Sequence, residues 1–410
     1  MSEKTEPWTY ASFANAHESD ALRRERRISK FVAQNGVRNI LMNDTQDWRT
    51  SQCLRNKVTK RHTDVKITHN TKTDSLGSSN LVTCGSVWLC PVCSARLTAE
   101  KAERYERILR RSGGVPILIT LTLQHNIKES LRTVYTRLNQ AYRYMFAGRR
   151  RKAFNADFGV IGYLTGRDIR WGHKSGWHPH IHMIVILRER PIDGGRAIKK
   201  RLNATYGAYL RSLGLLTNSK TIDISTKNVD PKEGAKYLTK GGGKLSLELA
   251  NGQEKQGKGS YSAFQLSELV RLHGQQWARS LFIEYAKVTK GKKLCTGSDS
   301  LKEFDYDDQE DGEGEVTPFA SLIWYVWDNI KNSGLRGAFF ALATGGKVMV
   351  LYNWLLENGL ASVEDIEAME NQQKIERARA LENAKKHTEL AHLRVEKLNN
   401  QGYTQLPLVI

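Results

Sequence analysis

Residues 176–187 read Gly-Trp-His-Pro-His-Ile-His-Met-Ile-Val-Ile-Leu. The aliphatic and β-branched run after His180 predicts a buried strand over 180–187. Alternate side chains of a strand share a face, so His178, His180 and His182 project together while Ile181 and Met183 turn to the core. Two neutral imidazoles at i and i+2 can converge on one divalent ion. The bland alternative is three satisfied polar histidines on a partly exposed strand. Three in alternation favour a metal.

Working upstream, 158–171 predicts a second strand, joined to the first through the polar turn Trp-Gly-His-Lys-Ser-Gly. If the two strands form a hairpin, Asp168 lies beside the histidines and is a candidate third ligand, with His178 its rival. An ion pair of Asp168 with Arg167 or Arg170 is the structural alternative. Residues 117–123 (Ile-Leu-Ile-Thr-Leu-Thr-Leu) predict a further strand, followed by a helix over 127–147 that ends in the run Gly148-Arg-Arg-Arg-Lys152. A helix over 192–213, a strand over 221–226 and a helix over 230–240 complete an α+β order. Residues 19–34 predict a basic helix with Ser19 or Asp20 near its N-cap, and polar, irregular sequence follows to about Leu81.

The 230–240 helix has Asp230 as N-cap, Pro231 in its first turn and Gly241 at its stop. Glu233, Tyr237 and Lys240 fall on one helical face. A tyrosine beside a polarised phosphate can act as nucleophile, a lysine one turn on can offset the charge, and the carboxylate at i−4 can activate water. An ordinary amphipathic surface helix would read the same way, and only position relative to the histidine strand adds weight.

Cys84, Cys90 and Cys93 offer three thiolates, with Cys90-Pro-Val-Cys93 a usual half of a structural zinc site. Cys53 is the first candidate for the fourth ligand, ahead of Cys295 and then His62 or His69. Reduced thiols in a core are the alternative. Five cysteines, three within ten residues, do not resemble a disulfide scaffold.

The 410 residues carry 63 Lys+Arg against 43 Asp+Glu, a net charge of +20. Residues 301–410 hold 11 basic and 18 acidic residues, so residues 1–300 hold 52 and 25. A body this basic suits a polyanion, and nucleic acid is favoured over an acidic membrane. Arg104 and Arg107, on the helix after the cysteines, and Arg149, Arg150 and Arg151 are candidate phosphate contacts. Trp171 and Trp177 could stack on bases or pack in the core. The polar N-terminus lacks a signal-peptide core, and the apolar stretch 337–357 is interrupted by Lys347 after two glycines, which favours a packed segment over a membrane span. No membrane association and a cytosolic location are expected.

With these motifs in view, the chain resembles rolling-circle plasmid replication initiators of the HUH endonuclease superfamily. Ile119-Thr-Leu-Thr-Leu123 resembles the family's first strand motif, His180-Ile-His182 its His-hydrophobe-His motif, and Tyr237-Leu-Thr-Lys240 its nucleophile motif. The segment from Cys84 to Leu97 resembles a cysteine cluster of plasmid members, and the likeness covers about residues 80–302. The resemblance implies an antiparallel, RRM/ferredoxin-like sheet backed by helices, with a zinc-knuckle-like N-terminal region and a helical C-terminal appendage. The expected domains are a basic cysteine-bearing region (1–115), a catalytic domain (116–245), a helical extension (246–302), an acidic linker (303–318) and a helical C-terminal region (319–410). It further implies site- and strand-specific nicking by Tyr237, aided by Lys240, with His180 and His182 binding Mg²⁺ or Mn²⁺. Asp168 stands where the family usually has Glu. Glu233 stands where phage-type initiators have a second tyrosine, which resembles termination by glutamate-assisted hydrolysis. Implied partners are plasmid origin DNA, single-stranded or as a supercoiled hairpin, and a host helicase and polymerase, with a homodimer as a further expectation. GxxxxGK[ST] does not occur. A related transposase or mobilisation relaxase, and a non-catalytic zinc-containing DNA-binding regulator, are the alternatives.

Overall fold

The computed structural model describes residues 20–44, 48–71, 74–218, 221–225, 229–243, 260–306 and 316–400. The chain forms two compact units, residues 1–56 with 82–312 and residues 57–81 with 313–410. The Ser19 cap, the Gly/Lys-rich stretch after residue 243 and residues 307–315 of the expected 303–318 acidic linker lie outside the described residues, while 316–318 belong to a strand.

In the first unit, helix α1 (Asp20–Met42) outruns the predicted 19–34. The sheet belongs to β3 (Val115–Leu121), β4 (Val160–Gly172), β5 (Gly176–Leu187), β6 (Ile222–Ser225), β7 (Ser260–Tyr261) and β8 (Cys295–Gly297). Its order is β6-β3-β5-β4-β7, with β8 also on β4, and every pairing is antiparallel. The α+β expectation with an antiparallel sheet is therefore met. The β4–β5 hairpin closes at Gly176, whose φ of +72° suits glycine and whose Cβ would press on the Ile127 backbone.

Helices cover both faces. Ile181, Met183, Val185 and Leu187 share a core with Ile117, Ile119 and Leu121, roofed by α3 (Leu131–Met145), α4 (Gly148–Asp157), α5 (Arg196–Leu202) and α6 (Ala208–Ser212). On the other face, Leu164, Ile184 and Ile186 meet Tyr105, Ile108 and Leu109 of α2 (Pro91–Arg111) and Ala235 and Leu238 of α7 (Pro231–Gly243). Two predicted helices are broken. Gly148, at φ +55°, separates α3 from α4, so the arginine run opens a helix rather than ending one. A π-helical turn at 203–207 interrupts 196–212. Near the hairpin tip, α1, α8 (Ala263–His273) and α9 (Gln276–Thr289) pack around Trp171 and Trp177. Glu284 ties this corner together: one carboxylate oxygen accepts from the Trp177 indole (2.8 Å), the other from the Leu131 amide (2.6 Å).

In the second unit, residues read as irregular before Leu81 instead form β1 (Asp64–Asn70) and β2 (Ser75–Ser79). They pair with β9 (Val316–Ile323) in a three-stranded antiparallel sheet of order β2-β1-β9. The region beyond 319 thus begins within a strand, and residues 57–81 group with 313–410 and not with the rest of residues 1–115. Helices α10 (Trp324–Asn332), α11 (Arg336–Phe340), α12 (Val348–Glu357) and α13 (Val363–Asn400) follow. The apolar 337–357 stretch breaks at Gly345 and Gly346, both at positive φ. No helix among the described residues is long and apolar enough to cross a membrane.

Candidate active site and thiol cluster

Register assembles the site. Asp168 lies opposite His180, Arg170 opposite His178, and both Gly166 and Thr120 opposite His182. The three histidines form a continuous row: ring centroids of His178 and His180 are 4.2 Å apart, and those of His180 and His182 are 5.7 Å apart. His182 is buried and the other two half-buried. No ion pair joins Asp168 to Arg167 or Arg170 among the described residues, so the carboxylate is left facing the imidazoles.

Burial lowers His178 to about 4, reinforced by the imidazoles of His180 and His125 and opposed by Asp168. Burial also lowers His180 to about 4, with His182 adding to it and Asp168 opposing. Neutral imidazole is the ligating form. His180 Nδ1 is buried without a hydrogen-bond partner. An orphaned buried nitrogen across from a carboxylate is the chemistry a divalent cation would take up, but among the described residues only the four thiols, and not the imidazoles with Asp168, have ligand atoms gathered within 4.8 Å of one another.

His125, in the loop after β3, escaped the sequence reading because a lone histidine in a polar loop carries no periodic signal. Its Nδ1 lies 2.9 Å from the Ser175 carbonyl, which can only accept, so Nδ1 carries the proton. Its Nε2 then accepts from His178 Nδ1, with which it is in contact. That leaves His178 Nε2 as a lone pair.

Tyr237 stands edge-on to His182, ring centroids 4.7 Å apart at 68°, and is half-buried. Helix α7 carries it there. Asp230 Oδ1 accepts from the Glu233 amide at 3.0 Å and caps the helix. Gly166 admits the backbone of Leu238 directly onto β4. Glu233 is exposed and ion-paired with Lys236 at 3.4 Å, one turn before the tyrosine. The side chain of Lys240 lies outside the described residues.

The thiols come together as anticipated. Cys53, Cys84, Cys90 and Cys93 have sulfurs all within 4.8 Å of one another. Sulfur separations of 3.5, 3.7 and 3.8 Å match the edge, about 3.8 Å, of a tetrahedron with metal–sulfur bonds of about 2.3 Å. Amides of Cys84, Ser86 and Cys93 donate to sulfurs of the cluster, as suits thiolates. Hydrogen bonding between the sulfurs pushes Cys53 and Cys90 up and Cys84 and Cys93 down. The group could hold a metal such as zinc. None of the three fallback ligands joins the group: Cys295 sits on β8 with its thiol on the Leu238 carbonyl (3.5 Å), His69 binds Asp74 at 2.7 Å, and His62 is not among the residues gathered there.

The candidate phosphate contacts separate. Arg104 is ion-paired with Asp305, and Arg107 is half-buried; both lie on α2, over the histidine face. Arg149, Arg150 and Arg151 are exposed on α4, on the opposite face. They do not form one surface with the first pair. Trp171 and Trp177 are core residues.

Residues 79–192 match the family described as replication protein, Rep_1. That window includes three of the four thiols and the histidine strand, and ends before α7. "Protein rep" of Streptomyces lividans is 24% identical over 290 residues, covering 54% of this chain and 63% of that protein. "Neomycin resistance protein" of Streptomyces cyanogenus is 29% identical over 153 residues, covering 31% of this chain and 35% of that protein. The chain thus spans less than two thirds of the length of either relative. No solved structure matches. The resemblance to plasmid replication initiators read from the motifs is thereby borne out at the level of the family: the chain is similar to replication (Rep) proteins, and residues 79–192 carry the replication-protein segment.

Proposed function

We propose that this chain initiates rolling-circle replication of a plasmid as an HUH-type, single-tyrosine endonuclease. The observation that carries the reading is the contact between Tyr237 and His182, on a face shared with His180 and Asp168. An antiparallel sheet backed by helices is the kind of scaffold that superfamily uses. Replication-protein similarity around the histidine strand supports the same conclusion.

In this mechanism a single strand of origin DNA lies across the histidine face with its scissile phosphate between Tyr237 and the imidazoles. His180, His182 and either Asp168 or His178 hold Mg²⁺ or Mn²⁺, which when bound supplies Lewis-acid polarisation of the phosphate. Tyr237 loses its proton and its oxygen forms a bond to phosphorus. The bond from phosphorus to the 3′ oxygen breaks, and that oxygen takes up a proton. The products are a 5′-phosphotyrosine link and a free 3′ hydroxyl that primes synthesis. Lys240 offsets phosphate charge, and reversal of the step rejoins strands. Glu233, on the same helix one turn away, activates water to hydrolyse the link and end the round. The arginines bind DNA backbone, the thiol cluster binds structural zinc, and a host helicase and polymerase extend the primer in the cytosol.

The test incubates the purified protein with Mn²⁺ or Mg²⁺ and single-stranded DNA from the origin of its own plasmid. A covalent adduct mapped to Tyr237 by mass spectrometry, and absent from Tyr237→Phe, is expected. Firm origin binding with no adduct under any metal overturns the reading and leaves a non-catalytic regulator.

A further inference from the structure

We propose that the corner formed by α3 and α4 is a second nucleic-acid surface, which grips the phosphate backbone of duplex DNA away from the cleavage face. The inference rests on reading the chain as a DNA-acting protein, not on the nicking chemistry.

Three side chains form a ladder there. The Arg150 guanidinium carbon lies 3.7 Å from the Tyr144 ring centroid, and Tyr144 stacks on Tyr209 with centroids 4.7 Å apart at 29°. Both faces of the Tyr144 ring are occupied, so no face is left for a base. The ladder instead fixes the guanidinium, and a pre-ordered guanidinium fork suits phosphate oxygens. Around it Arg143, Arg149, Arg151 and Lys152 are exposed, and none forms an ion pair among the described residues. Asp299, whose carboxyl feels the Arg151 charge, is itself paired with Lys302 at 2.9 Å. Uncompensated charge of this density persists on a surface that meets a polyanion. Duplex DNA offers the denser row of phosphates. A lipid surface fits less well, because the one apolar anchor of α4, Phe154, is buried inward.

Placement separates this surface from the site. Phe146 and Phe154 pack on the sheet face of Ile181 and Met183, whereas the histidines project from the other. A strand held at Tyr237 lies on the histidine face, and the ladder, on the other face, is left for flanking duplex.

The experiment uses the full chain carrying Tyr237→Phe, so that nothing is cleaved. Anisotropy follows a labelled duplex of arbitrary sequence across a salt series, beside vesicles containing phosphatidylglycerol. Combined Arg149→Ala, Arg151→Ala and Lys152→Ala is expected to weaken duplex binding at least tenfold. The slope of log affinity against log salt should fall by roughly 2–3, at about 0.9 per lost phosphate contact. Tyr144→Leu should weaken binding several-fold by freeing Arg150. Lys152→Glu, at an exposed position, provides a second variant should the triple one fail to fold. Unchanged affinity and slope overturn the proposal, as does loss of vesicle binding with duplex binding intact. Because no cleavage is read, absence of a Tyr237 adduct in the wild-type chain leaves this result interpretable.

Discussion

Gly166 of β4 lies directly beneath Leu238 of α7, so close that a Cβ at position 166 would collide with the Leu238 carbonyl and stand 2.9 Å from its Cα. This glycine sets the height of the helix over the sheet. The residue before Leu238 is Tyr237, and its approach to His182 depends on that height. Gly234, where a Cβ would meet Val229 and Ile184, seats the preceding turn.

Gly166→Ala is therefore expected to lift α7, at a cost of about 1–3 kcal/mol from overpacking, and to lower adduct formation tenfold or more. A thermal melt and adduct yield measure the two effects. A variant that melts lower yet forms adduct at the wild-type rate would show that the tyrosine does not depend on this contact.

The thiol cluster should bind one zinc ion per chain. Cys90→Ser, which removes a buried sulfur that also accepts from Gln34 (3.2 Å) and caps α2, should lose the metal and melt lower. Cys295→Ser should keep it. Elemental analysis of the purified variants decides, and zinc retained in full by Cys90→Ser would refute the four-sulfur assignment.

Acid should destabilise the metal-free histidine face. The folded values of His178 and His180, about 4, lie below the ordinary 6.5, so the unfolded chain binds more protons between those limits. Stability from these groups is complete above pH 6.5 and is lost as pH falls toward 4. Melting temperatures recorded in chelator across this window should decline less steeply for His180→Asn than for the wild type. Equal slopes would mean that other groups carry the acid response.

His125→Ala removes the acceptor that orients His178. Outer partners of ligating histidines typically contribute 10–100-fold in metal affinity, and a loss near tenfold in Mn²⁺ affinity is expected by calorimetric titration. No change would indicate that His178 takes no part in holding the ion.

By itself the sequence determined the strands that carry the histidines, the helix that carries Tyr237, the α+β class and three of the four cluster thiols. These are readable because their signals are local: alternation over a few residues, a cap and a stop on one helix, a Cys-x2-Cys spacing. Tertiary structure alone decided which distant residues meet them. Cys53, ranked first among several candidates for the fourth thiol, reaches the cluster from 31 residues before Cys84. His125 acquires a role only because the hairpin turn brings Ser175 and His178 to its loop. Strands β1 and β2 lie too far from β9 in the chain, about 250 residues, for any pattern to announce their pairing. That Arg104 and Arg107 lie over one face of the sheet and Arg149, Arg150 and Arg151 over the other was also left to the tertiary structure, because charge runs carry no information about which side of a sheet their helix will cover.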